Sequence, residues 1–298
     1  MNSPDSIQRT TKRSCYWVGG LQLVFAILFL FHSCAQVPAT ESWRQQYSHL
    51  QKSFPDNDTI TETDYYIIFL VTARHLEYWD TKELAKSLIR YSGGKGDIGH
   101  SWVYLKGIKD GRTFILEGGQ SWRLGKTQPG FFEGVKNYIQ YGYANPTKPQ
   151  KRNPRYEPNP IKYLWDELYG GFFQKGSGGF RPTFAAKFDL TKEKFDEILD
   201  YIDPKRYPFE RFSLVGNQCS SFTARLASMA GLSLEHEVTV KSEPQIRVGK
   251  QQYRLWTDPR YSKITFSTPD VLERSLMEAV ERGEAEYALG WYLNRESL

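Results

Sequence analysis

Apolar positions along this chain come in short blocks, and their spacing switches between the period of a strand and that of a helix. Residues 65–71 form a continuous apolar run of strand length, which predicts a central strand buried on both faces. Asp80 or Thr81 then caps a short helix carrying Leu84, Leu88 and Ile89, and Gly93, Gly94 and Gly96 mark its end. Residues 100–105 and 113–117 flank Asp110-Gly111, a strong tight-turn signal, and predict a β-hairpin. A strand is expected over 183–189. A helix capped by Thr191 should follow, through Phe195, Ile198, Leu199 and Ile202, and stop before Pro204. Asn217 and Gly231 bracket another helix as cap and stop, with Phe222, Leu226 and Met229 at helical spacing. Residues 240–266 read as loop and strand, and Thr268-Pro269 opens a C-terminal helix carrying Val271, Leu272, Leu276 and Val280. Strands and helices do not alternate regularly, so the expected class is α+β rather than a parallel α/β sheet.

The ends and insertions look different. Arg9, Lys12 and Arg13 precede an apolar run over 16–31 that is short for a membrane span and suits the core of an export signal. Residues 1–34 are expected to be that signal and 35–60 a polar tether. The segment ending Phe31-His32-Ser33-Cys34 resembles a bacterial lipoprotein signal, which implies lipidation at Cys34. Cleavage after Ala35 or Ala39, or an uncleaved anchor, are the alternatives. Each places the remaining chain outside the cytoplasm, most simply as a membrane-anchored lipoprotein. Residues 141–160, with Lys148, Lys151, Arg152 and Arg155, read as a solvated surface loop.

Charge and composition then narrow the function. Residues 1–33 hold three basic residues and one acidic one, so removing them lowers the net charge from +5 to +3. A balance that small points to no nucleic-acid partner. Eight Trp, 19 Tyr and 18 Phe supply a core for one large domain or two small ones. No His-Glu-x-x-His motif is present, and Cys219 is the only cysteine beyond the signal, so neither a metal nor a cofactor is expected.

Cys219 is therefore the chemical focus. A thiol in the first turn of a helix lies near unpaired N–H groups and the positive end of the helix dipole. Both favour thiolate and can lower the pKa from about 8.5 to roughly 3.5–7.5. A nucleophile also needs a base and a group to orient that base. His49 lies in the tether and His236 in a charged loop, while His75 follows the first strand. His100, opening a strand directly after Gly99, is the preferred base. With a two-residue turn at Asp110-Gly111, paired hairpin residues sum to 221, which puts Glu117 on the face of His100 and Gln120 on the other. Glu117 is ranked first as the orienting group and Gln120 second. Asn217 and Gln218, just before the thiol, are secondary candidates. The bland alternatives are a packed thiol and a solvent-facing Glu117.

A Gly-His opening a hairpin, a polar residue near its end, and Asn-Gln-Cys-Ser-Ser-Phe about a hundred residues later together resemble the circularly permuted papain-like proteins. That group includes permuted NlpC-type hydrolases, YiiX-like enzymes and relatives of lecithin:retinol acyltransferase. The resemblance covers roughly residues 63–232. It implies an antiparallel sheet packed on the nucleophile helix, with a catalytic domain over 61–266 and a helical extension over 267–298. It also implies Cys219 as nucleophile, His100 as base and Glu117 as third member, in acyl transfer from a peptide amide or an ester, cell-wall peptides among them. The competing expectations are a lipid acyltransferase or thioesterase, and a non-catalytic envelope binding module.

Overall fold

The structure is a computed structural model and describes residues 54, 59–91, 98–122, 158–165, 168–169, 171–248 and 251–295. The segment expected to be a signal, Cys34, His49, most of the expected tether and most of the expected 141–160 loop lie outside the described residues. Among the described residues, five α-helices and a six-stranded antiparallel sheet make a mixed α+β fold.

The apolar block forms β1 (Tyr66–Thr72), every residue of which is buried. It is followed by α1 (Thr81–Tyr91) and by the hairpin β2 (His100–Lys109) and β3 (Arg112–Trp122). The turn sits at Asp110 and Gly111, both with positive φ, and the ladder runs from Lys109↔Arg112 to Val103↔Gly118, the register expected from the Asp-Gly turn. The short strands β4 (Leu168–Tyr169) and β5 (Gly171–Lys175) precede β6 (Phe184–Asp189). Next come α2 (Lys192–Tyr201), capped by Thr191, then β7 (Arg211–Phe212) and α3 (Cys219–Ala230). The last third contains β8 (Glu237–Lys241), β9 (Gln245–Val248), β10 (Gln251–Arg254) and β11 (Lys263–Ser267). It closes with α4 (Pro269–Glu281), β12 (Glu286–Tyr287) and α5 (Leu289–Asn294).

The main sheet runs β12-β6-β1-β2-β3-β5, so β1 is central, as a strand apolar on both faces must be. Its two faces pack against different partners. Ile67, Phe69, Val71, Val103 and Leu105 meet Phe195, Phe222, Leu226, Leu272 and Leu276, so α2, α3 and α4 share one face. Tyr66, Ile68, Leu70, Trp102 and Tyr104 meet Ala288 and Tyr292 on the other. A smaller cluster joins Leu76 and Tyr78 to Val238, Val240, Ile264, Phe266 and Val271 under the β8–β11 ribbon.

The C-terminal helical segment packs into the main body: α4 supplies four buried side chains to the main core, and β12 pairs with β6 at the edge of the sheet. The helix that begins at Cys219 is capped by Gln218 rather than by the expected Asn217. The Gln218 side chain accepts from the Ser220 N–H at 2.7 Å, and the Ser221 hydroxyl accepts from the Gln218 N–H at 3.0 Å.

Candidate functional site

The N-termini of α3 and α4 reach the same end of the sheet, where β1 finishes and β2 begins. There α3 packs over β2 and β3, and α4 over β1 and β6. Gln218 links the two helix starts by donating from Nε2 to the Ser267 carbonyl.

Cys219 is the first residue of α3 and only 8% exposed. Its sulfur donates to Gln218 Oε1 at 3.4 Å and lies 3.9 Å from Ser220 Oγ. Ser101, on β2, also hydrogen-bonds it through backbone and side chain, and Ser101 Oγ stands 3.5 Å from Ser220 Oγ. Burial pushes the thiol pKa up, outweighing the hydrogen bonds from Ser101 and Ser220 that act the other way. The lowered pKa expected from the helix terminus is thus reversed. Inside the core, desolvation of the thiolate exceeds what nearby dipoles return.

His100 and Glu117 occupy the other face. His100 pairs with Thr72, the last residue of β1, and its ring stacks on Trp102 (5.6 Å, 15° between planes) and against Phe180 (4.8 Å). Side chains alternate along a strand, so Ser101 points at α3 while His100 and Trp102 point away from it. The structure brings Cys219 onto the strand that His100 opens, but the imidazole stands across the sheet from the sulfur. Glu117 shares the His100 face, as the register implies, yet its partners are others. Tyr292 donates to Glu117 Oε1, Trp102 Nε1 approaches the same oxygen at 3.3 Å, and Arg295 reaches Oε2 at 2.5 Å. Trp102 stands between His100 and Glu117, its ring stacked on His100 and its Nε1 turned to Glu117. Glu117 clamps the C-terminal helix.

Gln120 lies on the thiol's face. It pairs with Phe173 and is fully buried, and its Nε2 donates to the carbonyls of Phe209 (2.9 Å) and Arg211 (3.0 Å). Asn217 donates to the same Arg211 carbonyl at 2.8 Å and accepts from the Tyr207 hydroxyl. Of the three secondary candidates, Gln120 and Asn217 converge on the Arg211 carbonyl, while Gln218 binds the Ser267 carbonyl and the Ser220 N–H. Gln120 and Asn217 thereby tie down residues 209–211, and Gln218 fixes the far end of the segment that leads into Cys219.

Two further histidines sit near this end of the fold. His236 Nδ1 lies 2.9 Å from Ser267 Oγ, so it hangs on the residue that receives Gln218. His75 has φ +53, a left-handed position unusual for a residue with a side chain. Asp270 holds it there by accepting from the N–H groups of Arg74 (2.8 Å) and Leu76 (2.6 Å) and from the Tyr78 hydroxyl (2.9 Å). Burial raises the Asp270 pKa, while these amides and the His75 charge oppose the rise. His75 Nε2 meets the fully buried Glu273 carboxylate at 2.5 Å. Sequence spacing offers no hint of this pairing, because the partners are 198 residues apart.

What fold and site define together is a mixed α+β protein with a buried thiol at a helix start. No family model, curated protein or solved structure matches the chain. Among the described residues, no helix is long and apolar enough to cross a membrane, and no cluster of metal-ligating side chains forms.

Proposed function

We propose that this protein is a thiol-dependent acyl-transfer enzyme of the permuted papain-like kind, acting as a peptidase or amidase outside the cytoplasm. Cys219 is the nucleophile and His100 the base. The observation that carries the reading is the contact between the Cys219 thiol and Ser101, the immediate neighbour of His100, although thiol and strand are more than a hundred residues apart in sequence. Burial keeps the resting sulfur protonated, so the proton leaves only as the bond to carbon forms. It passes to the His100 imidazole and then to the departing amine, and water resolves the thioester. His100 is the first residue of β2, at the end of its ladder with β1. In this proposal its ring leaves the stack on Trp102 and Phe180 and comes round the open end of the sheet to the sulfur. The lipoprotein-type segment around Cys34 would hold the enzyme at a membrane surface.

The test is alkylation of the folded protein by iodoacetamide near neutral pH. Cys219 should react, and His100→Ala should slow the reaction by about tenfold or more, the low side of what a general base contributes. A thiol that stays inert until denaturation, or one indifferent to His100, refutes the proposal.

One observation favours a second reading, a non-catalytic binding module. The thiol is buried among uncharged partners, as a packed core cysteine would be. Under that reading the exposed Trp79 and Trp165 would face a partner, and the same alkylation assay finds Cys219 inert.

A further inference from the structure

The face of the sheet beneath α3 carries buried polar atoms that the fold leaves unmatched. Gln120 Oε1 and Thr223 Oγ1 are enclosed with no hydrogen-bond partner among the described residues, and both residues are fully buried. Such groups carry a desolvation penalty unless a partner meets them, so a buried orphan in a native fold calls for an explanation.

Their placement supplies one. Both partners of Gln120 Nε2 are carbonyl oxygens, which can only accept, so the orientation of the amide is forced and Oε1 is an obligate acceptor. With Nε2 tied to the Phe209 and Arg211 carbonyls, Oε1 is left unmatched on the side of the sheet that α3 covers. Gly119, next to Gln120, lies against Ser101 and Trp102: a Cβ there would stand 3.1 Å from the Ser101 carbonyl and 3.2 Å from the Trp102 Cα. Gln120 is therefore beside Ser101, whose hydroxyl and backbone hold the Cys219 sulfur. Thr223 follows Cys219 by four residues in α3 and so lies on the same side of the helix, one turn along. A hydroxyl can donate where a side-chain carbonyl accepts.

An acceptor from β3 and a donor from α3, both buried on the side of the sheet that holds the thiol, complement an amide group. We infer that Gln120 and Thr223 form an amide-recognition subsite next to Cys219, with Gln120 Oε1 accepting the substrate N–H and the Thr223 hydroxyl donating to a substrate carbonyl. The inference rests on the proposed role of Cys219 and narrows its substrates to amides that bear an N–H, at the expense of esters. Gln120 is a specificity residue here and takes no part in proton transfer.

The experiment uses two alkylating probes that differ only in N–H against O: N-methyl-iodoacetamide and methyl iodoacetate. Their rate ratio at Cys219 is measured on the folded full chain and, as the reference for intrinsic reactivity, on the same protein denatured. The subsite predicts a folded ratio about 3- to 10-fold above the denatured one, the value of one buried hydrogen bond. Gln120→Met should return the ratio to the denatured value. Thr223→Val should slow both probes together and leave the ratio raised, since both present a carbonyl. Equal folded and denatured ratios overturn the subsite while leaving Cys219 a reactive thiol. A raised ratio that survives Gln120→Met overturns the assignment to Gln120. Failure of both probes to react in the folded state overturns the subsite and the proposed function together. The wild-type ratio decides the matter even if a variant does not fold.

Discussion

Replacing Glu117 separates a structural role from a chemical one. Its carboxylate takes three donors, from Tyr292, Trp102 and Arg295, with the two oxygens shared between the aromatic pair and the guanidinium. The ion-pair side chains are 14% and 18% exposed, so solvent screens them little. In Glu117→Gln the remaining carbonyl can still accept from Tyr292 and Trp102, but the new NH2 faces Arg295 donor to donor. A hydrogen bond to a charged group is worth about 1.5–3 kcal/mol net, and breaking a buried pair by removing one partner costs about 3–5 kcal/mol. The partial burial here puts Glu117→Gln at about 2–4 kcal/mol. For a domain of this size each kcal/mol moves Tm by about 2–4 °C, so the melt should fall by roughly 5–15 °C. Urea titration gives the free energy directly, and a cycle with Arg295→Met should recover about 1–2 kcal/mol of coupling. Cys219 alkylation in the folded variant should keep its wild-type rate. The opposite pattern, an unchanged urea midpoint with slowed alkylation, would refute the clamp and make Glu117 part of the chemistry.

Two further predictions follow from single contacts. Burial raises the folded Cys219 thiol pKa above its unfolded value of about 8.5, so the unfolded chain gives up that proton first. Stability should therefore fall as pH rises past the unfolded thiol pKa, and Cys219→Ala should flatten that alkaline decline in urea midpoints. On β2, a Cβ at Gly107 would come within 2.3–2.6 Å of the Phe195 ring, a fully buried side chain of α2. Gly107→Ala should overpack this contact and cost about 1–3 kcal/mol in a urea melt, whereas a loss below ~0.5 kcal/mol would mean that α2 can shift freely.

Local chemistry makes several elements legible in the chain itself. The Asp110-Gly111 turn sets the hairpin register because a two-residue loop leaves no slack, and Thr191 and Thr268 cap their helices as their positions imply. The apolar run that forms β1 had to be central. The start of α3 shifts by one residue because Gln218, a less usual cap than Asn217, has its side chain held between the Ser267 carbonyl and the Ser220 amide. Asn217 is instead drawn to Arg211 and Tyr207.

Which face of β2 receives α3 could not be read from the chain. Trp102 and Tyr104 make one face apolar and Val103 and Leu105 make the other apolar too, so alternation offers no way to choose. The choice falls to packing: α2, α3 and α4 take the Val103 side, α5 closes the Trp102 side, and the imidazole goes with the second while the sulfur goes with the first. Glu117 finds its partners in a helix 175 residues away, and Asp270 and Glu273 find the His75 loop at a similar remove. Turn chemistry, caps and strand burial are local, and sequence alone determined them. The side of the sheet on which each titratable group sits depends on how distant segments divide two equally apolar faces, and only the tertiary structure decided that.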